Sequence, residues 1–419
     1  MSPRTASAII AANACLLIVT GACFCQLKQA EDTAKQLQRF KQLAAEAQPK
    51  VAAVMGCDQG DPISVTMVTR TQASRFVDSA LAGECSELDL RKLGRCYCEI
   101  GLLPMGYDLE AELRNMLHEQ AGAYYHPWSK TLTGIYGTVG LQDPSVEKMY
   151  LSHEMVHALQ DRAMDLVRLM RDRDPDNDRQ YCYRSVIEGM AGAVMVAFAM
   201  NKPLDSLPDM RSFWRSNLAR MTSDTTTFKT LGRAPHYVRE WLYSPYAEGG
   251  AFIQSWLRAN PAARVYALCG AIPASGEQML HFDKFQENDL PARIDLSRLR
   301  DHIGRQWRSY HANTLGEFEL RTLFRSHPAT RDSADDIAAG WDGCRFDAYA
   351  DSEGRILMVG SSAWDSEDDA GQFERAFGQV LRTVRGAGGY TILRKRDRVH
   401  FVIGGAGEVA AQRLLASIR

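Results

Sequence analysis

Apolar positions recur with two different periods along this chain, and the places where the period changes divide it into elements. Residues 5–27 carry no charge and hold Ile9, Ile10, Leu16, Leu17, Ile18 and Val19 just after Arg4. Such a run reads as a secretory signal sequence or an uncleaved anchor, and is just long enough to span a bilayer. Residues 27–54 read as a polar, alanine-rich helix with a modest stripe at Leu37, Phe40, Leu43 and Ala44, either a stalk or a first packing helix. Residues 63–68 alternate as a strand, and 73–82 and 109–120 have helical spacing. Residues 123–125 and 131–135, joined through His126, Pro127, Trp128 and Ser129, read as a hairpin.

Helical spacing then takes over. Residues 146–170 contain no proline or glycine to break a helix. The polar stretch 171–178 reads as a surface loop. A second apolar helix, 179–200, would bury Val186, Ile187, Met190, Val194, Met195 and Phe198, and 207–266 is again helical. After Gly340 and Trp341 the pattern changes. Residues 346–349 and 356–359 read as paired strands, followed by a helix capped near Asp365 and Ser366 with Ala370, Phe373, Phe377, Val380 and Val384 on one face. Strands at 390–393 and 399–403 and a helix at 409–418 complete a ββαββα module with no evident chemistry.

Length and charge narrow the picture. The 419 residues carry 49 basic and 51 acidic side chains, so electrostatics give no reason to expect nucleic-acid binding. The chain is long enough for one composite domain and a smaller one. Its organisation reads as 1–27 signal or anchor, 28–60 stalk or packing helix, 61–340 main domain and 341–419 C-terminal module. The leader points to membrane attachment and to an extracytoplasmic body: secreted, periplasmic or in the cell envelope. Gly21 and Ala22 before Cys23 also permit a lipoprotein, although Thr20 fits that box poorly. Seven cysteines lie beyond the leader: one or two disulfides among Cys57, Cys85, Cys96 and Cys98 are the simplest pairing, and unpaired buried thiols are the alternative.

The candidate chemistry is concentrated in His153-Glu154-Met155-Val156-His157. Positions i and i+4 share a helical face, so both imidazoles can converge on one ion with Glu154 beside them as a base. Zinc at a catalytic site needs three protein ligands and one open position. Glu188, a carboxylate in the apolar 179–200 helix, is the best third ligand, with Asp178 next.

Together these residues resemble a family. His153 to Asp161 (HEMVHALQD), then Asp178, then Glu188 to Ala191 (EGMA) is similar to the gluzincin branch of the zincin metallopeptidases. More narrowly it resembles a group of secreted prokaryotic metallopeptidases with the pattern HELVHALQD, D, EGDA. Residues 119–127 match that group's EQxxGxYDP segment, Pro245 to Phe252 match PYxxGxxF, and Pro273 to His281 match PxSTEQxLHP. Leu315-Gly316-Glu317, Ala338 to Trp341 and Trp364-Asp365 follow in the same order, so the resemblance runs from about Asp108 onward. The chain departs from the pattern at His126, Met190, Gly276, Phe282 and Cys344. Met190 replaces an acid that would support the metal's ligands.

The resemblance implies an α+β fold: a mainly helical zincin-like domain with a small sheet whose edge strand binds an extended peptide substrate, plus the C-terminal module. It implies a peptidase using one Zn2+ per chain, held by His153, His157 and Glu188, with Glu154 taking a proton from water and passing it to the leaving amine. Tyr246 and His281, both in the downstream motifs, are the candidate donors to the oxyanion. Two other readings remain open from sequence: a binding or assembly protein on the same fold without turnover, and a zinc hydrolase of a non-peptide bond.

Overall fold

A computed structural model describes residues 31–75, 78, 90–120, 122–138, 143–170, 176–224, 228–386, 389–405, 411, 413 and 415. The leader, Cys85 and most of the expected last helix lie outside these residues. The architecture is α+β and mainly helical, with two separate small sheets.

The first helix, α1 (Glu31–Met55), spaces Phe40, Ala44, Ala47, Val51 and Met55 along one buried stripe. That stripe packs on the two helices that carry the candidate site, so α1 is part of the core rather than a free stalk. Strand β1 (Ser64–Val68) and helices α2 (Leu90–Ile100) and α3 (Leu109–Gln120) follow. The hairpin of β2 (Ala123–His126) and β3 (Thr131–Ile135) forms as the spacing predicts. The order β1-β3-β2, with β1 parallel to β3, leaves β2 at an edge.

Next come α4 (Pro144–Met164) and α5 (Asn177–Met200). By length and composition α5 could cross a membrane, yet 89% of its apolar window is buried inside the protein. It is the central core helix. Helix α6 (Met210–Ser223) packs on α7 (His236–Ala259), and α7 and the short α8 (Gly276–Leu280) pack on α5.

The C-terminal region holds β4 (Arg308–Asn313), α9 (Glu317–Ser326), β5 (Trp341–Ala350), β6 (Ile356–Trp364), α10 (Glu367–Arg385), β7 (Tyr390–Lys395) and β8 (Arg398–Gly404). The sheet is antiparallel with order β4-β5-β6-β8-β7. It therefore begins at Arg308, upstream of the change in pattern at 341. The sequence hides β4 because its residues are mostly polar and half-exposed, so they give no hydrophobic alternation.

Ser366 caps α10 by accepting from the Asp369 N–H. The helix then stacks Phe373 on Trp364, with centroids 4.5 Å apart, and sets Phe377 edge-on to Phe401. This face of the sheet belongs to the same apolar cluster as α4 and α5; Leu357, Val359 and Val402 on the other face form a smaller cluster of their own. The region shares an apolar core with the helices.

Cys57, Cys96, Cys98, Cys182, Cys269 and Cys344 are free thiols. Of the four cysteines from which a disulfide was expected, the three described ones are unpaired. Cys96 and Cys98 are buried on one helix, two residues apart.

Candidate metal centre

Helix α4 is shaped by its ends. Asp143 caps the start by accepting from the Ser145 N–H at 2.8 Å, and Pro144 occupies the first turn, where its missing N–H costs nothing. The far end stops at Met164, short of the 170 that the absence of breakers suggests. Asp165 turns into the left-handed region (φ 48°), and Asp161 Oδ1 accepts the Leu166 N–H at 2.8 Å, so local side-chain bonding ends the helix. Helix α5 begins at Asn177, two residues earlier than expected, because Asp176 caps it through the Arg179 N–H.

The two helices bring His153, His157 and Glu188 together. One ligand atom from each lies within 4.8 Å of the others, and the residues are only 2%, 3% and 1% exposed. The two imidazole Nε2 atoms are 3.1 Å apart, and Glu188 Oε2 lies 3.4 Å from His153 Nε2 and 3.7 Å from His157 Nε2.

A close approach of α5 to α7 adds a third helix at this cluster. A Cβ on Gly189 would collide with the Gly249 backbone, and one on Gly249 with the Ser185 carbonyl. The glycine of the EGMA motif is thus needed for a close helix crossing, which brings Tyr246 of α7 over the site. Its ring stacks on His153 at 5.9 Å between centroids.

Electrostatics leave the cluster short of positive charge. Burial pushes the pKa of His153 down to about 3 and that of His157 to about 4, so both rings are neutral at physiological pH. Burial raises the pKa of Glu188, offset in part by His157, the Tyr246 hydroxyl and Arg184. Even so, neither Glu188 oxygen meets full hydrogen-bond geometry among the described residues, and the Tyr246 hydroxyl offsets the burial only in part.

Gln160 fixes the tautomer of His157. Its Nε2 donates to the Ile187 carbonyl at 3.0 Å, which turns its Oε1 toward His157 Nδ1 at 2.9 Å. Nδ1 must then carry the proton, and the Nε2 lone pair faces the cluster. Two imidazole nitrogens and a carboxylate short of hydrogen bonds, all buried and converging, fit a divalent cation of the zinc type in donor set and number.

Glu154, fully buried, is held from the sheet. Its Oε2 accepts the Tyr125 N–H of β2 at 2.7 Å. The Ile135 N–H donates to the Gly122 carbonyl, so even-numbered residues of this hairpin arm bond to β3 and Tyr125 faces outward at the edge. That edge is covered: Ala123 is 0% and Tyr125 3% exposed. Asp161 locks the hairpin to the helix, accepting from the Tyr125 hydroxyl at 2.7 Å and from Lys130 Nζ at 2.6 Å.

Other sequence candidates lie elsewhere. His281 bonds through Nε2 to Glu317 Oε1 at 2.8 Å, and among the described residues no bond joins it to the cluster. Asp178 accepts the Gly276 N–H at 2.8 Å and abuts Gly316, while burial raises its pKa well above its ordinary value; it joins the start of α5 to the start of α8. A second acidic group, Glu277, Asp289 and Asp365, already surrounds the Lys284 ammonium at 3.0, 2.8 and 2.8 Å. Sequence reading had not singled out Gln160, Tyr125 or Asp161 for a role, although Gln160 lies three residues beyond His157 on the same helical face.

Comparison with known proteins adds little at this site. Residues 305–413 match a family described as a domain of unknown function (DUF8575), a stretch that covers the second sheet and excludes the cluster. No curated protein matches the chain. A crystal structure from Chloroflexus aurantiacus, described as a candidate hydrolase with a novel fold, aligns over 63% of this chain and 92% of its own, with 16% identity and a TM-score of 0.39. At that level the likeness carries no argument.

Proposed function

We propose that the chain is a zinc-dependent peptidase of the zincin type, acting outside the cytoplasm. One observation carries the reading: His153, His157 and Glu188 converge in a buried cluster whose carboxylate is short of hydrogen bonds, beside a Glu154 anchored on an edge strand. Burying a lone carboxylate is strongly disfavoured unless a cation compensates it.

His153, His157 and Glu188 would hold the ion, with Gln160 presenting His157 in the required tautomer. Zinc in such a setting supplies Lewis acidity, acidifying water and polarising a carbonyl. Glu154 would accept the proton of the attacking water and deliver it to the leaving amine. The Tyr125 amide holds one oxygen of that carboxylate in place, so the base does not have to be ordered during the reaction. Tyr246, stacked on His153 with its hydroxyl beside Glu188, is the better placed of the two candidate donors to the oxyanion. Gly189 and Gly249 position it by allowing the helices to touch.

The test is hydrolysis of a proteome-derived peptide library by the wild type and by Glu154→Gln, each with and without chelator. The reading requires chelator-sensitive cleavage by the wild type and a loss of orders of magnitude in the variant, with its zinc retained. Cleavage by the variant at more than about a tenth of the wild-type rate would assign the base elsewhere.

A further inference from the structure

Away from the metal centre, a groove of about 1410 Å³ opens where the C-terminal half of α1, the start of α4 and the C-terminal ends of α5 and α7 converge. Its lining is mixed, with Val54, Met149, Phe198, Leu204, Leu257 and Ala263 supplying apolar surface between polar side chains. Four cations, Lys50, Lys148, Lys202 and Arg264, stand around it, all exposed, and among the described residues their side chains make no ion pair or hydrogen bond. Arg258 is offset by Asp209, which leaves Asp205 as the other acid among the described lining residues.

Each observation narrows the occupant. Unpaired cations bordering an apolar surface call for a ligand that is both acidic and apolar. A groove of this volume has room for a segment of chain as well as for a drug-sized molecule. Ser145 and Asn201 interrupt the apolar wall. An alkyl chain would leave such groups facing hydrocarbon, whereas a peptide brings amides and side chains that can pair with them.

We propose that this groove docks an acidic amphipathic segment of a partner protein. Its apolar face would lie against Met149, Phe198 and Leu257, and its carboxylates would meet Lys50, Lys148, Lys202 and Arg264, in the helix-in-groove manner. The helices that carry His153 and Glu188 each contribute to the wall, so an occupant would rest on both. The proposal does not depend on the peptidase reading, since docking is expected whether or not any bond is cleaved.

The experiment uses the full chain in nanodiscs of phosphatidylcholine and a fluorescein-labelled amphipathic peptide of leucine, alanine and glutamate, read by fluorescence anisotropy. The expected result is saturable binding that weakens with salt and falls on the order of tenfold for a scrambled peptide of the same composition. Lys148→Glu with Lys202→Glu should weaken binding by a similar factor, while Lys395→Glu on the distant β7 should leave it unchanged. Circular dichroism checks that the reversals leave the fold intact, and both lysines are exposed. Equal binding of the scrambled peptide, insensitivity to the double reversal, or absence of binding would overturn the proposal. So would lysine-dependent capture of phosphatidylglycerol vesicles without peptide binding, which would make this a lipid site.

Discussion

Gln160 accepts the Nδ1 proton of His157 at 2.9 Å while its own amide is held by the Ile187 carbonyl at 3.0 Å, so a residue of α5 sets the tautomer of a histidine on α4. The same helix supplies Glu188 one residue later, and ligand and support therefore move together. Support for the ligands, which the loss of an acid at Met190 puts in question, comes here from a carboxamide one helical turn beyond the histidine. Gln160→Ala should weaken zinc affinity by roughly 10–100-fold, measured by competition with a chromophoric chelator, while the unfolding midpoint of the metal-free protein changes little by comparison. An affinity equal to wild type would mean that the carboxamide does not orient the ligand.

The crossing of α5 and α7 sets a second expectation. Gly189→Ala puts a methyl group into the Gly249 backbone, and no flexible side chain is there to yield. Overpacking of this kind should cost about 2 kcal/mol or more, read by urea unfolding. Because the helices must separate, it should also reduce activity more than a cavity-forming change at Val194, which is buried further along α5.

Tyr246→Phe keeps the ring on His153 and removes the hydroxyl beside Glu188. Peptide hydrolysis should fall by roughly 10²–10³ in kcat, with zinc content and KM close to wild type. A fall in zinc content of the same size would instead make the hydroxyl a support of the metal's carboxylate ligand.

The two histidines also predict how the metal-free protein responds to acid. Folding lowers their pKa values to about 3 and about 4, from about 6.5 in the unfolded chain. The unfolded state therefore binds more protons between these limits, so their contribution is fully present above about pH 6.5 and is lost as the pH falls toward 4. Glu188, raised by burial, acts in the opposite sense at the acidic end. The difference between wild type and His153→Asn isolates the histidine part. Its stability advantage should shrink steadily from pH 6.5 to pH 4 in urea titrations of the metal-free proteins, and a pH-independent difference would contradict the burial assignment.

Much of this was legible in the sequence because it is written in short-range patterns. The spacing of His153 and His157 fixes a shared helical face, the alternation at 123–135 gives the hairpin, and Phe373, Phe377 and Val380 mark the buried face of α10. Glu188 could be singled out because a carboxylate has little reason to stand in so apolar a helix. What stayed hidden depends on tertiary contact. Strand β4 is mostly polar and is a strand only because β5 pairs with it. The end of α4 at Asp165 follows from one side chain bonding one amide. The edge strand of the small sheet could be foreseen, but not that Glu154 would occupy its outward amide. The motif residues Asp178 and His281 have spatial partners, Gly276 and Glu317, that sequence distance conceals.

The central claim is that Glu188 completes a zinc site with His153 and His157, and one measurement tests it most directly: the rise in melting temperature on adding zinc to wild type and to Glu188→Gln. A ligand that binds only the folded state stabilises it in proportion to its affinity, by about 2.7 kcal/mol at a hundredfold excess over Kd. The account predicts a large rise for wild type and little or none for the variant. An equal rise in both, or none in wild type, would contradict it.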